Sequence, residues 1–194
     1  MEHGFGTRAD VTWPADMPLA TVRQVHSAEV LAADASGGVI GQGDALITDQ
    51  PGVLLSVRTA DCLPILMSDI RHRAVSAVHA GWRGAVLEVA PKAVQAMADR
   101  YGTRPEDLRV AIGPGIGQCC FEVGPEVAVQ FGLSGRTRID LAETNRRQLV
   151  QAGIPASQIV LTGMCTCCDR SRFHSFRRDR EAAGRMVSAI GIRP

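Results

Sequence analysis

Between residues 45 and 79 the chain passes through short apolar segments with little but turn residues between them, and this succession constrains the fold more than any other feature. The segments cover residues 45–48, 53–57, 63–67 and 74–79, the length of strands rather than of buried helices. The turn Asp49-Gln50-Pro51-Gly52 predicts a hairpin between the first two. The polar stretch 68–73 joins the last two, so the centre of the chain is a sheet. Upstream, residues 21–31 read as one further strand-like segment.

From Gly84 the apolar spacing becomes helical. Leu87, Val94, Met97 and Ala98 fall on related faces, Pro91 predicts a kink or restart, and Gly102 lies past the end. Residues 109–112 read as a strand entering the turn Gly113-Pro114-Gly115-Ile116-Gly117, which borders the expected pocket, and residues 125–131 as a short helix. Residues 139–152 predict a clear helix, with Asp140 as N-cap and Gly153 closing it before Pro155. Residues 159–161 are the last expected strand. A final helix is predicted over 180–190, because Ala183, Met186, Val187 and Ile190 recur at helical spacing. Runs of strands followed by helices, without regular alternation, point to an α+β fold with mixed sheets rather than a doubly wound parallel sheet. A length of 194 residues suits one domain spanning 1–194.

The 21 Lys and Arg nearly balance the 20 Asp and Glu. A net charge of +1 gives no long-range field for nucleic acid or an anionic membrane, so a small molecule is the expected partner. No segment reaches the roughly 20 apolar residues of a membrane span, and Met1-Glu2-His3-Gly4 lacks the basic start of a signal peptide. A cytoplasmic location is therefore expected. There the six cysteines are thiols rather than disulfides, available for metal or catalysis.

A catalytic zinc ion takes about three protein ligands and keeps one position open. His26, Cys62 and His79 meet that count, each at or beside the end of a predicted strand. Their spacings match no short zinc-binding pattern, so two polar histidines and a buried thiol stand as the plainer alternative. In His79-Ala80-Gly81-Trp82-Arg83-Gly84 a strand gives way to a helix. Backbone amides there, with Arg83, would suit an anion, unless Arg83 simply pairs with a surface carboxylate. A rival cluster, Cys165-Thr166-Cys167-Cys168 with His174, is richer in soft ligands, but adjacent cysteines chelate one ion poorly. No second cysteine pair sits at zinc-finger distance, although Cys119-Cys120 can approach in space, and structural or incidental thiols are read ahead of a second metal. Arg170, Arg172, Arg177, Arg178 and Arg180 interleave with Asp169, Asp179 and Glu181 and are read as a salt-bridged surface.

Several segments together resemble the laccase-domain, or multicopper polyphenol oxidoreductase, family, which includes zinc-dependent purine nucleoside phosphorylases. They are Gln24-Val25-His26, Gly43-Asp44-Ala45-Leu46-Ile47-Thr48, Thr59-Ala60-Asp61-Cys62-Leu63-Pro64 and His79-Ala80-Gly81-Trp82-Arg83-Gly84. Downstream, Ile112 to Ile116, Phe121-Glu122-Val123-Gly124, Cys165-Thr166 and Phe173 to Arg178 follow in family order. The resemblance implies a layered α/β/β/α-type sandwich, with mixed sheets packed between helices. It implies His26, Cys62 and His79 as ligands of Zn2+, copper being the alternative ion. Implied activities are phosphorolysis of adenosine, inosine, guanosine and methylthioadenosine, and deamination of adenosine. The partners would then be a purine nucleoside and phosphate, with no nucleic acid and no membrane. Cys62, His79 and Arg83 become the candidate catalytic residues, Arg83 also the substrate contact, and Gln24 and Asp61 would either orient the ligands from behind or serve equally as strand-end hydrogen bonders.

Two departures stand out. The family has a longer section, with a glycine-rich turn and an Asn-Leu-Gly segment, where this chain has only residues 9–23; some substrate contacts are expected to be missing. His174 replaces an aromatic residue. Rival chemistries for the same residues are a Cys62 nucleophile activated by His79, as in a hydrolase or amidase acting on peptidoglycan precursors, copper oxidation of polyphenols, and a metal-stabilised module without turnover. Five histidines are few for a laccase that stores electrons on several coppers.

Overall fold

The computed structural model describes residues 1–9, 13 and 16–194. The shortened section at 9–23 falls partly on residues 10–12 and 14–15, outside the described ones. In chain order the strands are β1 (Glu2–Gly4), β2 (Leu19–Arg23), β3 (Val30–Ala32), β4 (Gly38–Gln42), β5 (Ala45–Thr48), β6 (Leu54–Thr59), β7 (Leu63–Asp69) and β8 (Ala74–Ala80). After them come β9 (Leu108–Ile112), β10 (Glu122–Val123), β11 (Thr137–Arg138), β12 (Ile159–Leu161) and β13 (Met186–Gly191). The helices are α1 (Trp82–Val86), α2 (Val89–Tyr101), α3 (Pro125–Ala128), α4 (Leu141–Gln151) and α5 (Phe176–Asp179).

Two mixed sheets make the body of this single α+β domain. One has six strands in the order β12-β9-β7-β8-β5-β3, the other five in the order β1-β13-β6-β2-β4. They pack face to face over Leu46, Leu55, Val57, Leu66, Val75 and Ile190, while helix α2 and its neighbours cover the far side of the six-stranded sheet over Ile65, Val78, Ala93 and Met97. Met17, Leu54 and Ala189, with Trp13 against them, form a small cluster of their own on the five-stranded sheet. Every residue of β5 and β8 is buried, since both faces of these strands are covered. That is why they read as unbroken apolar runs rather than alternating ones.

Three expectations change. The turn at residues 49–52 does not close a hairpin: β5 pairs with β8 and β3, whereas β6 pairs with β13 and β2 in the other sheet. Handing the chain across the gap lets Leu46 and Leu55 meet in the core between sheets. The segment 21–31 divides into β2 and β3, which lie in different sheets, with the His26 loop between them. The final helix predicted over 180–190 is absent; β13 occupies Met186–Gly191, antiparallel to both β6 and β1. Apolar residues at 183, 186, 187 and 190 fit a helix by spacing alone. Glycines at 184 and 191 disfavour one, and the hydrogen bonds of two neighbouring strands settle it.

The helical stretch after β8 breaks at Glu88, which adopts φ 58°, so Pro91 falls in the first turn of α2, where its missing N–H is not needed. Gly102 ends that helix at φ 70°. Helix α4 starts as expected, with the Asp140 side chain accepting from the Glu143 N–H, a cap contributing about 1 kcal/mol. Among the described residues no helix is long and apolar enough to cross a membrane.

Candidate metal centre

Strand register builds the site. β5 pairs with β8 with Ala45 opposite Val78, so one step further along Asp44 lies opposite His79. β7 pairs with β8 with Leu63 opposite Ala80, and one step beyond that pair Cys62 lies opposite Gly81. His79 shares its face of β8 with Val75 and Ala77, which point into the core between the sheets. His26 reaches the same place from the loop after β2. The donor atoms of His26, Cys62 and His79 lie within 4.8 Å of one another, and the Cys62 Sγ is 4.0 Å from the His26 Nε2. Tetrahedral zinc with ordinary Zn–S and Zn–N bonds sets such a sulfur and nitrogen about 3.6 Å apart, so this soft donor set fits the ion with little movement.

Asp44 organises the centre. Its fully buried carboxylate accepts from the His79 Nδ1 at 2.7 Å, from the His26 N–H at 3.0 Å, from the Val25 N–H at 3.2 Å, and from both the N–H and hydroxyl of Ser27. One carboxylate thus fixes the His26 loop, in which His26 itself sits at φ 59°, and holds the His79 proton on Nδ1 so that Nε2 is presented. Burial pushes the Asp44 carboxyl up, but its bonds from His79 and Ser27 prevail and hold it at about 2. Burial likewise pushes the Cys62 thiol up, yet hydrogen bonds and charge from His26 and His79 bring it down to about 6. His79 is pushed down by burial and lifted to about 9 by Asp44 and Cys62. These neighbours favour the thiolate form of Cys62.

Gly81 is required by closeness. A Cβ there would stand 2.8 Å from the Cys62 Sγ and 3.3 Å from the His26 Cδ2. Gly81→Ala is therefore expected to displace the thiol and weaken metal retention by about 10-fold with unchanged far-UV circular dichroism. Retention equal to that of the unmodified chain would show that the thiol has room to move.

The other expected residues lie around a cleft of about 1000 Å³ that opens over these donors. Gln24 lines it, but its amide pairs with the backbone of Arg58 at 2.8 Å in both directions, so it ties β2 to β6 instead of touching a histidine. Asp61, at φ 91°, accepts from the Thr166 hydroxyl at 2.7 Å and the Arg177 N–H at 2.6 Å. It clamps the wall of the cleft beside Cys62. Arg83 is exposed, stacks on Trp82 at 4.3 Å, and makes no ion pair with a carboxylate among the described residues. The glycine-rich turn borders the cleft through Ile116.

The arginine group is only partly a salt-bridged surface. Arg172 and Arg178 pair with Asp169 and Asp179. Arg177, Arg180 and Arg185 instead line the cleft together with Arg58 and Arg83, and among the described residues Asp61 is the one carboxylate that lines it. Sequence proximity to acidic residues concealed this, because alternate side chains of a turn face different ways. Asp44 is legible as a chemical group only as a carboxylate immediately before the wholly buried strand β5. His174 packs against Gly184, away from the donors.

The family model described as multi-copper polyphenol oxidoreductase laccase matches residues 7–193. A purine nucleoside phosphorylase of Deinococcus radiodurans is 41% identical over 183 residues, covering 89% of this chain and 70% of that protein. Adenosine deaminase RL5, from an unknown prokaryotic organism, is 36% identical over 195 residues, covering 89% and 74%. The crystal structure of YlmD from Geobacillus stearothermophilus superposes with a TM-score of 0.87 at 35% identity, covering 91% of this chain and 74% of that one.

Proposed function

Because this chain belongs to the multi-copper polyphenol oxidoreductase laccase family, we propose that it is a zinc-dependent purine nucleoside phosphorylase with adenosine deaminase activity. The observation that carries this reading is a His, Cys, His donor set at the base of a cleft rimmed by five arginines. A nucleoside and phosphate together ask for such a combination: apolar surface for a purine, and fixed positive charge for an anion to be aligned against the ribose. Trp82, Ile116, Phe121 and Phe176 supply the first, and Arg83 with Arg177, Arg180 and Arg185 the second. Bound by His26, Cys62 and His79, zinc would supply Lewis acidity for a reacting water or purine. Asp44 keeps His79 in the tautomer that presents Nε2, and Asp61 holds the Arg177 segment against the cleft.

The Cys62 thiolate beside His79 also fits the nucleophile of a hydrolase. Against that reading, a nucleophile needs one base and a free sulfur, whereas here two imidazoles converge on the same thiol. The decisive assay incubates zinc-loaded protein with adenosine and phosphate and separates the products. Adenine with ribose 1-phosphate, and inosine, are expected; formation of none of them overturns the proposal. In the same assay Arg83→Ala is expected to raise KM for phosphate about 10-fold, the loss of one charge-assisted hydrogen bond, with KM for adenosine little changed.

A further inference from the structure

Away from this cleft, two turns face each other across an isolated bridge between Gly115 and Cys165. The first turn carries Cys119 and Cys120, the second Cys165 and Cys168. Their four sulfurs all lie within 4.8 Å of one another. Cys119 and Cys120 are 3.8 Å apart, Cys119 and Cys168 3.6 Å, Cys120 and Cys168 3.4 Å. Four thiolates around one zinc ion, at a Zn–S length of about 2.3 Å, define a tetrahedron with edges of about 3.8 Å. The three separations among Cys119, Cys120 and Cys168 are close to those edges, and the Cys165 sulfur lies within 4.8 Å of each of them.

The objection that neighbouring cysteines cannot share an ion does not hold in this backbone. The N–H groups of Cys120 and Phe121 both donate to the Gly117 carbonyl at 3.0 Å, so residues 117–120 form a helical turn. Successive side chains of such a turn diverge by about 100° rather than pointing to opposite faces as in a strand. Cys165 and Cys168 have the two-residue separation common among structural zinc ligands. The Gly117 N–H donates to the Cys165 Sγ at 3.2 Å, the kind of outer contact that orients a thiolate ligand. Arg178 donates to the Thr166 and Cys167 carbonyls and holds the second turn from behind. Cys119 and Cys168 are exposed, which gives an ion access from solvent. An iron–sulfur cubane would interpose its own atoms and spread its thiolates further apart than these.

We propose that Cys119, Cys120, Cys165 and Cys168 form a second, structural zinc site, closed by four thiolates and separate from the His26, Cys62, His79 centre. Loading exchanges four S–H protons, released to solvent, for four Zn–S bonds, with no change of oxidation state. Because Thr166 holds Asp61 and Asp61 adjoins Cys62, the site pins the loop that forms one wall of the cleft.

The test is elemental analysis of the whole chain, produced with zinc and purified with reductant and without chelator. Expected are two zinc ions per chain, falling to one in Cys119→Ser and in Cys168→Ser, and staying at two in Cys167→Ser, whose sulfur is outside the set. Cys62→Ser removes the other ion and leaves this one. A single zinc lost with Cys62→Ser, copper or iron in its place, or an intact mass lower by the hydrogens of a disulfide overturns the proposal. Should the serine variants fail to fold, cobalt substitution of the unmodified chain decides: thiolate-to-cobalt charge transfer of four-sulfur intensity supports the site, and the intensity of one thiolate overturns it.

Discussion

On the proposed function, Cys62→Ala is expected to lower phosphorolysis of adenosine at least about 100-fold and to release the zinc ion proposed for the cleft, while the chain stays folded. Its sulfur is one of three converging donors, and the Lewis acidity lost with the ion corresponds to several kcal/mol of transition-state stabilisation, each 1.4 kcal/mol being tenfold in rate. The fold tolerates the change, because Cys62 lies beyond the end of β7, facing the cleft, and Gly81 opposite makes no demand on its bulk. His26→Ala separates the two chemistries that use this thiol. With a metal centre it removes a ligand and should be nearly as damaging; with a Cys62 nucleophile and a His79 base it should leave most activity. Metal content and initial rates on the two variants give the answer, and a His26→Ala enzyme of full activity would overturn the zinc assignment.

Asp44→Ala is expected to lower stability by about 3 kcal/mol and, if the chain folds, to weaken zinc binding by 10- to 100-fold. The carboxylate takes bonds from the backbone of Val25, His26 and Ser27 as well as from His79. Its loss therefore unfastens the His26 loop and leaves His79 free to change tautomer. Asp44→Asn keeps the shape and one acceptor oxygen, so it should recover part of the stability while still weakening metal. Denaturant midpoints and competitive metal titration separate the two effects; unchanged affinity in both variants would mean that Asp44 is only a loop anchor. Because the group is held at about 2 against a usual value of 3.8, its contribution is complete above pH about 4 and is lost as pH falls through about 2.

Much of this was legible in the linear chain. The buried strands β5, β7 and β8 show as apolar runs, α4 shows through its period and the Asp140 cap, and the donor types Cys62 and His79 stand at strand ends. Local sequence reports such features because they depend on burial and backbone geometry within a few residues. It misled at β13, where four apolar positions satisfied a helical period by coincidence, and at the turn 49–52, where a familiar hairpin signal serves a crossing between sheets.

The pairing of side chains was decided only in three dimensions. Separations of 36 residues from His26 to Cys62 and 17 from Cys62 to His79 carry no distance, because each intervening turn reverses the chain. It is strand register that sets Asp44 against His79 and Cys62 against Gly81, and a shift of one residue would send each side chain to the opposite face. The same holds for the four clustered cysteines, drawn from two turns 45 to 49 residues apart, and for the arginines that line the cleft. The sequence by itself determined which chemical groups this protein owns and the local backbone of its clearest segments, such as β5, β7, β8 and α4. Tertiary hydrogen bonding decided which of them meet, since contact between distant residues is fixed by how sheets and turns pair and not by any property of the residues alone.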